Sequence, residues 1–198
     1  MTLRALFLII STYCFVAAVA VMPIADALAI VFIEPFILLL LGKWLFQEQV
    51  GPRRLIASLV GFIGVCFVIQ PSLAVFGLVA LYPLGTAFFF AFYMLMTRSL
   101  SRKIHPVPMQ MHTAIAGSIM CIPVMFFADI YAWPTLDPVM PFGIYWAWLF
   151  GVGLWATISH MMISFALKFA PSATLAPLHY LEIVSAVIFG YAIFGDLP

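Results

Sequence analysis

The chain has 198 residues, of which 66% are hydrophobic and only 8% are charged, and its formal net charge is +1. Soluble domains carry about 25% charged residues, and no water-soluble fold could cover this much apolar surface. The composition therefore excludes a water-soluble enzyme, a secreted disulfide scaffold and a disordered segment, and the small net charge excludes a nucleic-acid binder. The three cysteines lie in apolar runs without CxxC spacing, so neither disulfides nor a zinc site are predicted. We predict an all-α membrane protein.

Seven apolar runs divide the chain. A membrane-spanning helix needs about 20 predominantly apolar residues, and short connections marked by proline separate the runs. The predicted spans are 3–20, 27–46, 55–70, 74–97, 108–128, 143–167 and 175–195. The uncharged stretch from Leu55 to Thr97 is long enough for two spans, which we separate at the turn Gln70-Pro71-Ser72.

The basic residues lie on one side of this predicted topology. If the spans alternate in direction, all eight Lys and Arg residues fall on the side where the chain begins. The opposite side carries Asp26, Asp129, Asp137 and Asp196 and no basic residue. Because basic residues concentrate in cytoplasmic loops, we predict a cytoplasmic start and an external end.

A comparison of the sequence with itself at an offset of 148 residues indicates an internal repeat. Nine of about 41 positions are identical, and Glu34 coincides with Glu182, the two acids that lie deep in apolar spans. The offset displaces the first two spans onto the last two, by an odd number of spans, so the copies cross the membrane in opposite directions. Inverted repeats are the architecture of many secondary transporters, whose substrate site lies between the halves. Apolar composition and chance are the alternative explanation.

The repeated segments also carry a family resemblance. The two EamA domains of the drug/metabolite transporter superfamily resemble RALFLIISTYCFVAAVAVMPIADALAIVFIEPFILLLLGKWLFQEQVGPRRLIASLVGFIGVCFVIQP and ALKFAPSATLAPLHYLEIVSAVIFGYAIFGDLP. In that family, ten helices form two inverted five-helix halves in the inner (plasma) membrane of bacteria, with both termini in the cytoplasm. The resemblance implies that residues 1–72 are three spans of the first repeat and that residues 73–198 are four spans of the second. It further implies two spans before this segment and one after it. Gln47 and Asp196 depart from the Leu-Gly-Glu ending that is usual in each repeat.

The two acids within spans are the first candidates for a substrate- or proton-binding site. A carboxyl group at that depth costs several kcal/mol unless it faces a cavity or a partner, although a structural hydrogen bond to a neighbouring helix is the alternative role. A functional role is favoured for Glu182, because His179 lies three residues earlier on the same helix face and Tyr180 is adjacent. The surroundings of Glu34 are drier. His179 and Glu182 lack a third ligand, so no metal site is predicted.

Two polar faces supply further candidates, among which Thr86, Tyr93 and His160 are assigned to the site. Residues at helical spacing would line a water-accessible cavity and bind substrate, or they would form contacts between helices. The faces consist of Tyr82, Thr86, Tyr93 and Thr97 in the fourth span and of Thr157, His160 and Ser164 in the sixth.

The predicted function is secondary transport of a small metabolite by alternating access, with coupling to protons at Glu182 and with no bound cofactor. The predicted partners are the small metabolite and the lipid bilayer, with no nucleic acid, and a homo-oligomer stays open. An intramembrane structural or partner fragment without transport activity is the main alternative. An intramembrane enzyme is disfavoured because no GxSxG, GxGD or HExxH motif occurs. A retinal pigment would need a lysine in the middle of the last span, which has none.

Overall fold

The computed structural model describes residues 1–69, 77–130 and 139–194, and within these ranges it consists of helices and short connections. The helices α1 to α4 are Thr2–Val21, Ile24–Val31, Glu34–Phe46 and Pro52–Ile69. A 3₁₀ turn, Gly77–Ala80, leads into α5, Leu81–Ser101, which is followed by α6, Pro106–Ile130, and α7, Tyr145–Phe169. The short helix α8, Ser172–Leu175, continues as a 3₁₀ helix, Ala176–Tyr180, and then as α9, Leu181–Phe194.

Each of the seven predicted spans contains a helix, and the prediction of an all-α membrane protein is confirmed. Within the described residues, five helical segments are long and apolar enough to cross a membrane: Thr2–Val21, Ile24–Phe46, Gly77–Ser101, Pro106–Ala128 and Tyr145–Phe169. The predicted turn at residues 70–72, and the predicted external positions Asp137 and Asp196, lie outside the described residues.

Two of the predicted spans are broken in their first half. The span from Ile24 to Phe46 is interrupted between α2 and α3, directly before Pro35. In the last span, the chain from Ala176 to Tyr180, which contains Pro177, is a 3₁₀ helix. Proline has no backbone N–H and its ring clashes with the carbonyl four residues earlier, so an α-helix cannot pass through it undisturbed. The two breaks leave polar backbone and side chains at the depth where Glu34 and His179 lie.

The helix boundaries recur at the same interval as the sequence repeat. The prolines before α2 and α8 share one backbone conformation, with φ −56° and ψ 139° at Pro23 and φ −59° and ψ 147° at Pro171. The ends of α1 and α7 are Val21 and Phe169, and the starts of α2 and α8 are Ile24 and Ser172. Each pair of boundaries is separated by the 148 residues of the sequence offset.

The helix pair α1 and α5 forms the centre of the bundle. Ser11 Oγ donates to the carbonyl of Thr86 at 3.1 Å, and Phe7 packs against Phe92 with ring centroids 5.2 Å apart. Leu38 of α3 and Met94 of α5 belong to the main buried cluster. Large apolar side chains on the outer faces are exposed, as expected of surfaces that face lipid or further helices.

Candidate functional site

A carboxylate–imidazole pair lies where the two broken spans meet. Glu34 Oε2 and His179 Nδ1 are 2.7 Å apart. Glu34 begins α3, directly after the first break, and His179 lies in the 3₁₀ helix of the second. The Glu34 side chain is buried, and its other oxygen, Oε1, has no hydrogen-bond partner among the described residues. A buried carboxylate oxygen left free in this way is available to a proton or to a donor group of a ligand.

Tyr180 extends this pair towards the neighbouring helix α4. Its hydroxyl donates to the backbone carbonyl of Phe32 at 3.0 Å, and the two rings lie 5.9 Å apart. The phenol ring lies directly over Gly61 of α4, where an added Cβ would lie 2.4 Å from the Tyr180 ring. The absence of a side chain at Gly61 therefore sets how closely α4 approaches the broken span that carries His179.

Glu182 does not make the pairing expected from the sequence. Its side chain is exposed, and the hydrogen bond of His179 goes to Glu34 in the other broken span. Because the 3₁₀ helix packs directly against α3 and α4, the imidazole has a buried carboxylate beside it across the helix interface. The acid that is hydrogen-bonded to His179 is therefore Glu34 and not Glu182.

A second polar cluster surrounds Arg4, which the sequence had placed at the membrane edge as an orienting charge. The guanidinium is fully buried and stands 4.6 Å from the centre of the Tyr93 ring. All of its hydrogen-bond acceptors are neutral and come from α5, α6 and α7. They are Thr97 Oγ1 at 2.8 Å, Tyr93 OH at 2.7 Å, Gln110 Oε1 at 3.1 Å, Ser164 Oγ at 3.4 Å and Thr113 Oγ1. Within the described ranges, Arg4 forms no ion pair with a carboxylate.

The remaining candidates divide between this cluster and simple helix contacts. Tyr93 OH lies 3.1 Å from Nδ1 of His160, so these two candidates and Arg4 form one network. The Thr86 hydroxyl instead donates to the carbonyls of Ser11 and Tyr82, at 3.4 and 3.2 Å. These bonds join α5 to α1 and one turn of α5 to the next, so they fit the alternative role of a helix contact. No group of three metal-binding side chains occurs in the part of the chain that the structure describes.

Sequence reasoning missed Arg4 itself, Gln110 and Thr113 as members of this network. Gln110 and Thr113 lie one turn apart on α6, and both are buried. Their spacing on one helix face is a usable signal, because residues three apart are neighbours on a helix. Nothing in the local pattern links them to Arg4, more than a hundred positions earlier, since that contact depends on how α1 packs against α6.

The fold and these clusters define a class of helical membrane protein with broken spans and polar groups buried between them. A family model described as the EamA-like transporter family matches residues 77–198, and the chain belongs to this family. That match confirms the resemblance noted in the sequence. A transporter family, with relatives named as transporters, points away from an enzyme.

Curated relatives and a solved structure agree with this assignment. A riboflavin transporter of Vibrio cholerae is 31% identical over 178 residues, which are 89% of this chain and 56% of the relative. An S-adenosylmethionine uptake transporter of Rickettsia bellii is 26% identical over 99% of this chain and 64% of its own length. The pseudopaline exporter CntI of Pseudomonas aeruginosa is 23% identical, over 93% of this chain and 63% of its own length. The chain thus spans less than two thirds of each of these relatives.

A protein of known crystal structure superposes on the whole chain with a TM-score of 0.75, over 67% of its own length. The two sequences are 18% identical, so the likeness concerns the fold alone. It shows that this fold occurs in a longer chain of known structure.

Proposed function

We propose that the protein is a secondary transporter that moves a small metabolite across the membrane by alternating access. The observation that carries the proposal is the hydrogen-bonded pair of Glu34 and His179, which lies between two broken spans. Broken helices and an ionisable group within a span are the features from which membrane transporters build binding sites. Family membership supports the same reading.

An inverted repeat would supply the moving parts. The helix boundaries that recur 148 residues apart support two related halves, residues 1–72 and 73–198, of which this chain carries seven spans. Tyr180 and Phe32, which touch, are also 148 positions apart, as expected for counterparts near a two-fold axis. Rocking of one half against the other around this contact would expose the site to each side in turn. The one-sided basic residues support a cytoplasmic start.

The substrate site of this proposal contains Glu34, His179 and Tyr180, and the hydrogen-bonded Tyr93 and His160 form a second candidate cluster. The names of the relatives support a small metabolite, because they refer to riboflavin and S-adenosylmethionine. A carboxylate with one free oxygen next to an imidazole can accept a proton on one side of the membrane and release it on the other. Coupling of transport to the proton gradient would follow from that exchange.

Uptake into membrane vesicles containing the protein tests the proposal. We expect His179→Ala to lose most uptake of a metabolite that the unaltered protein transports, with riboflavin and S-adenosylmethionine as the first probes. His105→Ala is the matched control, since His105 lies on the exposed connection before α6. Equal uptake by both variants and the unaltered protein would contradict the assignment of the site. Absence of uptake of any small metabolite by the unaltered protein would contradict the transport function itself.

A further inference from the structure

A cavity of about 540 Å³ lies at the membrane edge where α3 ends, outside the proposed transport site. One wall is the C-terminal end of α5, with Arg98, Arg102 and Lys103, and the facing wall is the connection between α3 and α4, with Gln47 and Glu48. All of these residues lie at or beyond helix ends, so the cavity opens at the level of the lipid headgroups.

The cavity has an excess of positive charge. The only carboxylate in its lining, Glu48, is already engaged, because it accepts bonds from Ser172 Oγ at 2.6 Å and from the backbone N–H of Ala173 at 2.9 Å. This carboxylate caps the N-terminus of α8, and it makes no ion pair with the basic side chains opposite, as far as the described residues extend.

The three basic side chains differ in how they are held. Arg98 donates through Nη1 to the carbonyls of Leu167 and Lys168, which fixes it at the end of α7. Arg102 and Lys103 are exposed and, among the described residues, make no side-chain hydrogen bond or ion pair. The cavity therefore combines one anchored cation with two free ones, a suitable arrangement for an anion with several acceptor oxygens.

We infer that this cavity binds the phosphate of an anionic phospholipid headgroup. Guanidinium and ammonium groups bind phosphate oxygens well, and basic pockets between membrane helices are typical sites for such headgroups. The surrounding surface favours a lipid over a soluble phosphate compound, because Phe46 in the lining is 38% exposed, and Trp44 and Leu45 in the same last turn of α3 are exposed at 80% and 51%. Tryptophan at this level of a membrane protein is typical of the interface with lipid.

Spin-labelled phosphatidylglycerol in phosphatidylcholine nanodiscs tests the inference. The fraction of label immobilised by the protein measures binding, and the double variant Arg102→Gln/Lys103→Gln removes the two free cations. We expect about thirtyfold weaker binding in this variant, since each basic residue near a membrane surface strengthens binding by about fivefold. Spin-labelled phosphatidylcholine should be immobilised equally by both proteins.

Arg53→Gln/Arg54→Gln is the matched control, because these residues carry the same charge at the same edge but do not line the cavity. The inference requires that this control retain the lipid. An equal loss in both double variants would overturn it in favour of general surface attraction. Displacement of the label by glycerol phosphate at low concentration would overturn the lipid as the ligand and indicate a soluble phosphate compound. Circular dichroism of each variant confirms that it is folded.

Discussion

The hydroxyl of Tyr180 donates a hydrogen bond to the backbone carbonyl of Phe32, which lies 148 positions earlier, at the offset of the proposed repeat. Residues that are equivalent in an inverted repeat come together only near the axis that relates the copies. This contact lies beside the hydrogen bond between Glu34 and His179. In the proposed arrangement of two inverted halves, the site would lie between them, where a relative rotation changes access without carrying the site across the membrane.

The first prediction concerns Gly61, whose missing side chain admits Tyr180. We expect Gly61→Ala to destabilise the protein by about 1–3 kcal/mol, because the new methyl group overlaps the Tyr180 ring. Thermal unfolding in detergent measures the change. Gly64→Ala on the same helix is the control, since nothing lies within 4 Å of a Cβ at Gly64. Alanine at position 64 should stabilise α4 slightly, because alanine favours a helix more than glycine does. Equal stability of the two variants would show that α4 does not approach Tyr180 this closely.

The second prediction concerns the Arg4 network. Arg4→Lys keeps the charge but offers three donors in place of the five of a guanidinium, so several buried oxygens lose their partner. We expect a loss of about 2–4 kcal/mol, at about 1–3 kcal/mol for each buried group left unsatisfied. Arg102→Lys, on an exposed side chain, should leave the melting temperature unchanged. If Arg4→Lys leaves the stability unchanged, the guanidinium is solvated in the protein rather than enclosed by its helices.

The third prediction concerns Glu48, which caps α8 from a position 124 residues earlier. Removal of a capping side chain costs about 0.5–2 kcal/mol locally, so we expect Glu48→Ala to speed hydrogen exchange at the N-terminal amides of α8. Mass spectrometry of a peptide that covers Ser172 and Ala173 measures this. Gln47→Ala serves as the control next to it, because no hydrogen bond joins the Gln47 side chain to α8 within the described residues. Unchanged exchange in Glu48→Ala would rule out the cap.

The fourth prediction concerns orientation in the membrane. On a background without the three cysteines, a cysteine at Lys103 should react with a membrane-impermeant reagent only from the cytoplasm, and a cysteine at Val139 only from outside. Both positions are exposed, so the reagent can reach them. The reverse pattern would overturn the assignment drawn from the basic residues.

The predictable part of this structure is the part that depends on local pattern. Apolar runs predicted the seven spans, and the coincidence of Glu34 with Glu182 pointed to the two spans that are broken. The partner of His179 could not be predicted, because it depends on the packing of the 3₁₀ helix against α3. The burial of Arg4 was missed for the same reason. A basic residue in the first turn of an apolar helix looks like an edge charge until neighbouring helices surround it.

Transport by Glu34→Gln, compared with Glu182→Gln, tests the central claim most directly. Each substitution removes one carboxyl group from a broken span and keeps the size of the side chain. Of the two acids, only Glu34 is buried against His179. In proteoliposomes with an imposed pH gradient, we expect Glu34→Gln to lose the response to the gradient and about tenfold or more of the transport rate, equivalent to about 1.4 kcal/mol. Glu182→Gln should retain both. Loss of transport in Glu182→Gln with normal, pH-dependent transport in Glu34→Gln would contradict the account.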